Sequence, residues 1–160
     1  MTRDYLEHFI SSLKRNLMEL VELDCAVSDP RPQPNTFESN GLAVIIGLTG
    51  ERPGFVILDT NREAARRLCG LIDGQAHSSE DDFVLHALAE LANIVAGHAV
   101  TAINNAPGST HFEMTPPGLF CGDKVKVTGH RVEAEVFDAD TPVGKLSVTV
   151  GFEGGVPRGR

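Results

Sequence analysis

The chain has 160 residues, of which 41% are hydrophobic and 22% are charged, and its formal net charge is −8 at pH 7. This length allows one domain, or two very small ones. A hydrophobic core of ordinary size can stabilise such a chain without disulfides or a structural metal. A strongly acidic chain without a basic run is a poor match for nucleic acid or anionic lipid, so we expect a protein partner or a small ligand.

The first element predicted is an amphipathic helix over residues 4–23. Its apolar residues recur at helical spacing, at Leu6, Phe9, Ile10, Leu13, Leu17, Leu20 and Val21. Acidic and basic residues are mixed from the start, unlike a secretory signal, so we expect a cytoplasmic protein. No stretch approaches the roughly 20 uninterrupted apolar residues of a membrane span, so no membrane association is expected. The proline-rich "SDPRPQPN" that follows predicts an extended surface connection.

A hairpin and two helices are predicted next. The β-branched runs "GLAVIIGLTG" and "GFVILDT" are typical of two paired strands joined by a loop. The Thr60-x-x-Glu63 pattern of a capping box and the glycine at 74 predict a helix over 61–73. Ser78 and Ser79 before an acidic first turn predict a further helix over about 80–104.

The last third has the pattern of strands separated by Gly, Asp and Pro. Hydrophobic residues alternate with polar neighbours, which predicts one buried and one wetter sheet face, with the buried positions at Val125, Val127, Val132, Ala134, Val136, Leu146, Val148 and Val150. The order of elements predicts one α+β domain over 1–153, with long helices packed on an antiparallel sheet in two layers. Residues 154–160 are expected to form a frayed tail.

The helix over 80–104 has two contrasting faces at about 100° per residue. The predicted core face consists of Val84, Leu88, Leu91, Val95, Ala99 and Ala102. The opposite face, which we call the polar stripe, consists of Asp82, His86, Glu90, Asn93, Gly97, Thr101 and Asn104. The stripe has no Lys or Arg, and its neighbours Ala89, Ala96 and Val100 are small or apolar. A surface this bare leaves room for another molecule to approach the helix closely.

Explanations of the polar stripe that involve no partner remain open. Glu90 and Asn93 are compatible with simple solvation, and His86 and Glu90 have the spacing of an ion pair worth a few tenths of a kcal/mol. The same two residues are only half of a metal site, and no third ligand is evident, so no metal is expected. His98 is expected to be structural. The sequence has no motif of a nucleophilic or cofactor enzyme.

The three cysteines are expected to be structural. Cys25, Cys69 and Cys121 are scattered, without a Cys-x-x-Cys pair. An odd, sparse count suits buried thiols in a reducing compartment.

The segment "ELANIVAG", followed by the first proline of "TPPGLFCG" with 22 residues between Asn93 and that proline, resembles the CheX/CheC/FliY phosphatases of bacterial chemotaxis. Their motif is Asp or Ser, three residues, Glu, two residues, Asn, about 22 residues, then Pro. Glu90, Asn93 and Pro116 match it, whereas His86 stands where the family has Asp or Ser. The order of elements is also similar to CheX. Asn16 has no glutamate three residues before it, so we expect one site, as in CheX, rather than the two of CheC.

The resemblance implies a phosphatase of two-component signalling that hydrolyses the aspartyl phosphate of a CheY-like receiver. It implies that Asn93 orients the attacking water and that Glu90 pairs with the receiver's lysine, with Pro116 as a structural member of the motif. His86 and Gly97 are expected to contact the partner. No cofactor of the chain's own is expected, because the receiver carries Mg²⁺. CheX-like proteins pair as homodimers through their sheets, which is expected here too.

Two other classes of function remain open. A non-catalytic module would dock the same stripe onto a receiver or signalling partner without hydrolysis. His86 supports this alternative, because it departs from the family motif. A plain dimeric scaffold would leave the stripe solvated and would have no phosphorylation-dependent partner.

Overall fold

Three helices and ten strands make up the described part of the chain. The structure is a computed structural model that describes residues 5–34, 36–78, 82–108, 110–122, 126–128 and 132–153. In chain order the elements are α1 (Tyr5–Val21), β1 (Ala26–Val27), β2 (Arg31–Gln33), β3 (Thr36–Glu38), β4 (Leu42–Gly50), β5 (Gly54–Thr60), α2 (Arg62–Asp73), α3 (Asp82–Asn105), β6 (Phe112–Met114), β7 (Gly118–Cys121), β8 (Lys126–Thr128), β9 (Val132–Thr141) and β10 (Gly144–Glu153).

The main sheet is antiparallel and has the strand order β1-β9-β10-β5-β4-β6, with β2 also on β9 and β7 also on β4. Its centre is formed by two hairpins. The β4–β5 hairpin pairs Leu42 with Thr60, and the β9–β10 hairpin pairs Gly144 with Thr141. Only short strands lie along the two outer edges, which limits the backbone left open for pairing. The expected α+β class, with helices on an antiparallel sheet, is therefore confirmed.

The hydrophobic core lies between this sheet and the helices. Phe9, Leu13 and Leu17 of α1 are completely buried, as their helical spacing predicts. At one end of the core, the ring of Tyr5 meets those of Phe112 and Phe152 edge-on, with centroids 5.8 and 6.0 Å apart. Such aromatic contacts add to the free energy of burial and fix the start of α1 on the sheet.

The prediction for β9 assigns Val136 to the wrong face of the sheet, although Val136 is buried as predicted. Phe137 pairs with Val148, and Ala139 with Leu146, so these residues of β9 share the helix-facing core with β10. Val136 instead pairs with Thr149 on the other face. Side chains alternate between the two faces of a strand. Because Val136 and Phe137 are adjacent and both large and apolar, the sequence alone does not tell which of them faces the helices. The predictions for Leu146, Val148 and Val150 are confirmed, and those for 125, 127 and 132 lie outside the described side chains.

The other face of the sheet is partly covered, which the sequence did not predict. Strands β3 and β8 pair as a separate ribbon, and Phe37 of that ribbon packs on Ala43 and Ile57. The carboxylate of the buried Asp59 accepts hydrogen bonds from the Ser39 hydroxyl at 2.6 Å and from the backbone and side chain of Asn40. These bonds tie the turn before β4 to the central strand β5.

Helix α2 has the predicted extent but a different N-cap. The Asn61 side chain, not that of Thr60, accepts from the backbone N–H of Ala64 at 2.7 Å. Thr60 belongs to β5, and its hydroxyl donates to the carbonyl of Lys145. Both residue types cap helices well, so the strand decides which is available. Gly74 closes α2 in the left-handed conformation, as expected.

Two other predictions change at the sheet edges. The proline-rich connection is extended, as predicted. Its short strand β2, and β1 just before it, add to the outer edge of β9. Cys25 and Cys69 are buried, but Cys121 is exposed, because β7 is an edge strand and its last residues point outward. The expected domain boundary and tail at 154–160 lie outside the described residues.

Helix α3 is long and apolar enough, by length and composition alone, to cross a membrane. This is weak evidence for a membrane span, because a helix buried in a protein core can be equally long and apolar. In the fold its apolar residues pack against α1, α2 and the sheet.

Candidate functional site

An open groove of about 610 Å³ runs along one side of α3. Three residues of the polar stripe, His86, Glu90 and Asn93, lie in it together. The remaining wall is apolar and comes from all three helices and the segment after β6, with Leu20, Ile72, Phe83, Ala87, Ala89, Leu91, Ile94 and Pro117. The groove therefore places a carboxylate, an amide and an imidazole against a hydrophobic wall.

Glu90 and Asn93 are accessible and available to bind a partner. The Glu90 side chain is exposed and that of Asn93 is half-buried. Within the described part of the chain, neither side chain forms a hydrogen bond or ion pair. His86 is also exposed and does not form the ion pair with Glu90 that their spacing allowed. The polar groups of this groove therefore face solvent with their hydrogen-bonding capacity unused.

Packing on two sides fixes the direction in which these groups point. Five predicted core-face residues of α3 are buried, but Ala102 is exposed and Ile103 is buried instead. Ala96 and Val100, expected beside the stripe, are buried too. The prediction treated α3 as packing on one side only, whereas its contacts extend to both the sheet and α1. The buried arc is wider than expected. Within the polar stripe, Asp82, His86, Glu90 and Thr101 remain exposed, whereas Asn104 is half-buried and hydrogen-bonded to Phe112 of β6.

A polar bridge, buried on the α1 side, links α1 to α3 just beyond Asn93. The Ser12 hydroxyl donates to the carbonyl of Val95 at 2.7 Å, and the Asn16 amide lies 3.1 Å from Nδ1 of His98. Asn16 is only 2% exposed, so it is a packing residue of α1 and not a second surface site. His98 has the structural contact expected of it, although its side chain is exposed.

Gly97 and Pro116 lie near the groove without lining it. A Cβ at Gly97 would come 3.7 Å from the Met114 methyl, so this side of α3 faces strand β6 of the chain itself. Thr115 is fixed by two bonds with Gly47, its N–H donating to the Gly47 carbonyl and its hydroxyl accepting from the Gly47 N–H. This anchor places the next residues beside α3, and Pro117, rather than Pro116, reaches the groove wall.

The α2–α3 connection supports one end of the groove. The His77 ring stacks on Phe83 with centroids 5.0 Å apart, and its Nε2 lies 2.7 Å from the carboxylate of Asp73. Desolvation works to raise the pKa of Asp73, but hydrogen bonds from the Gln75 N–H and from His77 lower it overall. An ionised Asp73 thus holds the imidazole against Phe83.

Leu20, Ile72 and Phe83, which we call the apolar rim, are functional candidates that sequence reasoning missed. All three are large, exposed hydrophobic residues at the end of one helix or the start of another. Leu20 was expected in the core face of α1, yet it points into the groove. The only sequence signal was an excess of apolar residues at helix ends, which is too common to identify a site.

The polar side chains of the groove are suited to hydrogen bonding and ion pairing. Asn93 offers one acceptor and two donors without charge, and Glu90 offers a carboxylate for a cation. Among the residues that the structure describes, no three His, Cys, Asp or Glu side chains are grouped to hold a metal ion. The described residues that line the groove include no nucleophile with a neighbouring base to activate it.

The chain is similar to known proteins of bacterial chemotaxis. Residues 42–139 match the family described as "Chemotaxis phosphatase CheX". A curated relative, the CheY-P phosphatase CheX of Thermotoga maritima, is 23% identical over 119 residues, which cover 74% of this chain and 76% of the relative.

Solved structures agree in fold. A CheX–CheY–BeF3–Mg²⁺ complex from Borrelia burgdorferi contains a chain that superposes with a TM-score of 0.81 at 23% identity, covering 95% of this chain and 99% of that one. A CheC-like superfamily protein from Shewanella sp. PV-4 gives 0.84 at 19% identity, covering 96% and 99%. The matched region includes every residue of α3.

Proposed function

Because the chain belongs to the CheX family of chemotaxis phosphatases, we propose that it accelerates hydrolysis of the aspartyl phosphate on a CheY-like receiver. The observation that carries this proposal is the open groove in which Glu90 and Asn93 share one wall, with no partner for either side chain among the described residues. Two polar side chains one turn apart on a helix can enter the active site of another protein together.

Asn93 is proposed to position the attacking water. An amide accepts one hydrogen bond from the water and donates another toward the phosphoryl oxygens, and it adds no negative charge beside them. Holding a water in line with phosphorus lowers the entropy cost of reaching the transition state, which is the main task in phosphoryl transfer. The half-buried Asn93 side chain is less free to rotate than an exposed one.

Glu90 is proposed to fix the docking register. Its exposed carboxylate would pair with the lysine that the resemblance places beside the receiver's phosphorylated aspartate. A charge-assisted hydrogen bond of this kind is directional as well as attractive. With Glu90 held, Asn93 on the next turn reaches the phosphoryl group.

The reaction itself needs little from this chain. The water oxygen forms a bond to phosphorus while the bond from phosphorus to the aspartyl oxygen breaks, releasing the receiver's carboxylate and inorganic phosphate with the protons of the water. Mg²⁺ held by the receiver would neutralise charge on the phosphoryl oxygens. This chain needs no cofactor of its own for that reaction, and no described cluster would hold a metal.

The rival function is a binding module of the same fold that docks a receiver without hydrolysis. His86 supports it, because it replaces the Asp or Ser of the family motif and lies in the groove with Glu90. The proposal favours catalysis because Asn93, the residue assigned to the water, is present and unobstructed. We further propose, from the resemblance to CheX-like proteins, that the chain forms a homodimer in the cytoplasm.

The experiment that tests the proposal is a phosphate-release assay. CheY-like receivers are phosphorylated with acetyl phosphate in Mg²⁺, and release of inorganic phosphate is followed with and without the chain. Acceleration for at least one receiver is expected. Binding of a phosphorylated receiver without acceleration would support the binding module instead.

A further inference from the structure

Exposed apolar side chains are concentrated beside the catalytic groove. Among the described residues, six large hydrophobic side chains are exposed, and the three of the apolar rim line this groove. Leu20 comes from the end of α1, Ile72 from the end of α2 and Phe83 from the start of α3. Side chains from three helices meet here, so the amphipathic pattern of no single helix accounts for the surface.

We propose that the apolar rim binds an apolar side chain that the receiver presents next to its lysine, and that this contact sets affinity while Asn93 sets the rate of hydrolysis. The inference rests on the proposed function and names the chemistry of the partner surface. Exposed apolar patches with polar residues at their border mark sites of protein association.

Charge complementarity decides what can occupy the groove. Among the described residues that line the groove, Glu90 is the one with a carboxylate. Neither Glu90 nor Asn93 has a partner within the described part of the chain. An occupant must therefore bring a cation for the carboxylate and an apolar group for the rim. A free acidic metabolite would meet the charge of Glu90, on a chain whose net charge is already −8.

A second copy of this chain is a poorer occupant. Two copies paired groove to groove about a two-fold axis would bring their Glu90 carboxylates into the same apolar-walled space. Removing two like charges from water without a cation between them is costly. His86 lies in the same groove, but within the described part of the chain it forms no pair with Glu90 even in one molecule.

The test compares two rim substitutions with two matched controls. Leu20→Ser is matched by Met18→Ser, because both residues lie on the last turns of α1 and are 49% and 46% exposed. Phe83→Ser is matched by Phe120→Ser, at 43% and 42% exposed. Neither control residue lines the groove. Ile72 is left unaltered, because it also packs between α2 and α3.

The probe is a receiver whose dephosphorylation the unaltered chain accelerates, saturated with beryllofluoride, a phosphoryl mimic, and Mg²⁺. Each rim variant should weaken its binding about tenfold, the loss expected when a half-exposed side chain no longer becomes buried. In phosphate release the KM should rise similarly, with kcat within about twofold. Both controls should match the unaltered chain, and Leu20→Met should restore binding.

Three outcomes overturn the inference. The rim variants could bind as tightly as their controls, or they could lower kcat with KM unchanged. The unaltered chain could also be a dimer that Leu20→Ser dissociates, which would make the second copy the occupant. Circular dichroism and thermal unfolding confirm that each variant is folded. Failure of the proposed function is seen separately, as absence of acceleration by the unaltered chain, and the inference then falls with it.

Discussion

The Ser12 hydroxyl on α1 donates a hydrogen bond of 2.7 Å to the carbonyl of Val95 on α3, across 83 residues of sequence. Val95 is two residues beyond Asn93, so this bond joins the packing of α1 to the part of α3 that carries the proposed catalytic amide. The Asn16 amide adds a bond to the Ser12 carbonyl at 2.8 Å, and all these groups are buried or partly buried.

Ser12→Ala should lower the free energy of unfolding by about 1 kcal/mol, the usual contribution of a buried hydrogen bond. Val95 retains its place in the helix, so the fold should survive. Urea denaturation with constant m-value measures the change. Ser11→Ala, at an exposed neighbouring position of α1, is the control. Equal stability of the two variants would contradict a structural role for the bond.

Asn93→Ala should reduce kcat for phosphate release by about 10²–10³-fold, the range for loss of one positioned hydrogen-bonding group. Binding of the beryllofluoride-loaded receiver should change little, because the amide is assigned to the water. Asn105→Ala, at the exposed last residue of α3, controls for loss of an amide on the same helix. Full activity of Asn93→Ala would refute the catalytic assignment.

Glu90→Lys should weaken receiver binding at least about tenfold, because an attractive pair with the receiver's lysine becomes a repulsive one. The effect should shrink as salt is raised. Glu113→Lys makes the same change in net charge at an exposed position of β6, and it should bind normally. If Glu90→Lys retained the affinity of that control, Glu90 would not be the anchor.

His86→Ser restores a residue of the family motif, and we expect it to leave kcat within about twofold. His86 and Asn93 are seven residues apart on α3, roughly 10 Å along the helix axis, so they cannot hold the same water. A change confined to KM would mark His86 as a partner contact. A large rise in kcat on replacing His86 would instead show that this residue had been suppressing hydrolysis.

Asp59→Asn should alter how stability depends on pH. Burial raises the pKa of Asp59 above its ordinary value, against the lowering effect of hydrogen bonds from Ser39 and Asn40. The folded state then binds the proton more tightly than the unfolded chain, so the contribution of Asp59 to stability is full below the ordinary carboxyl pKa and is lost as pH rises through the raised value.

The asparagine variant cannot ionise at this position. The unfolding free energy of the unaltered chain minus that of Asp59→Asn should therefore decrease as pH rises from about 4 to about 7. Urea denaturation at several pH values measures this difference, with Asp140→Asn at an exposed position as the control. A difference that grows with pH would mean that ionised Asp59 is the favoured folded form.

Several predictions that rest on local periodicity agree with the fold. The extent of α1, α2 and α3, the β4–β5 hairpin and the placement of Glu90 and Asn93 on one open face all depend on residues close in sequence. Helix period and strand alternation are properties of the backbone, so a short window of sequence contains them. The family resemblance likewise came from the Glu90, Asn93 and Pro116 spacing.

Features that depend on distant contacts required the tertiary structure. The phase of β9 is set by its register with β10, and the burial of Ala96 and Val100 by the approach of α1. The apolar rim exists only because packing brings the ends of three helices to one groove. The sequence by itself determined which two side chains α3 presents, because their spacing is local. Only the tertiary structure decided what surrounds them, because long-range packing assembles that surface.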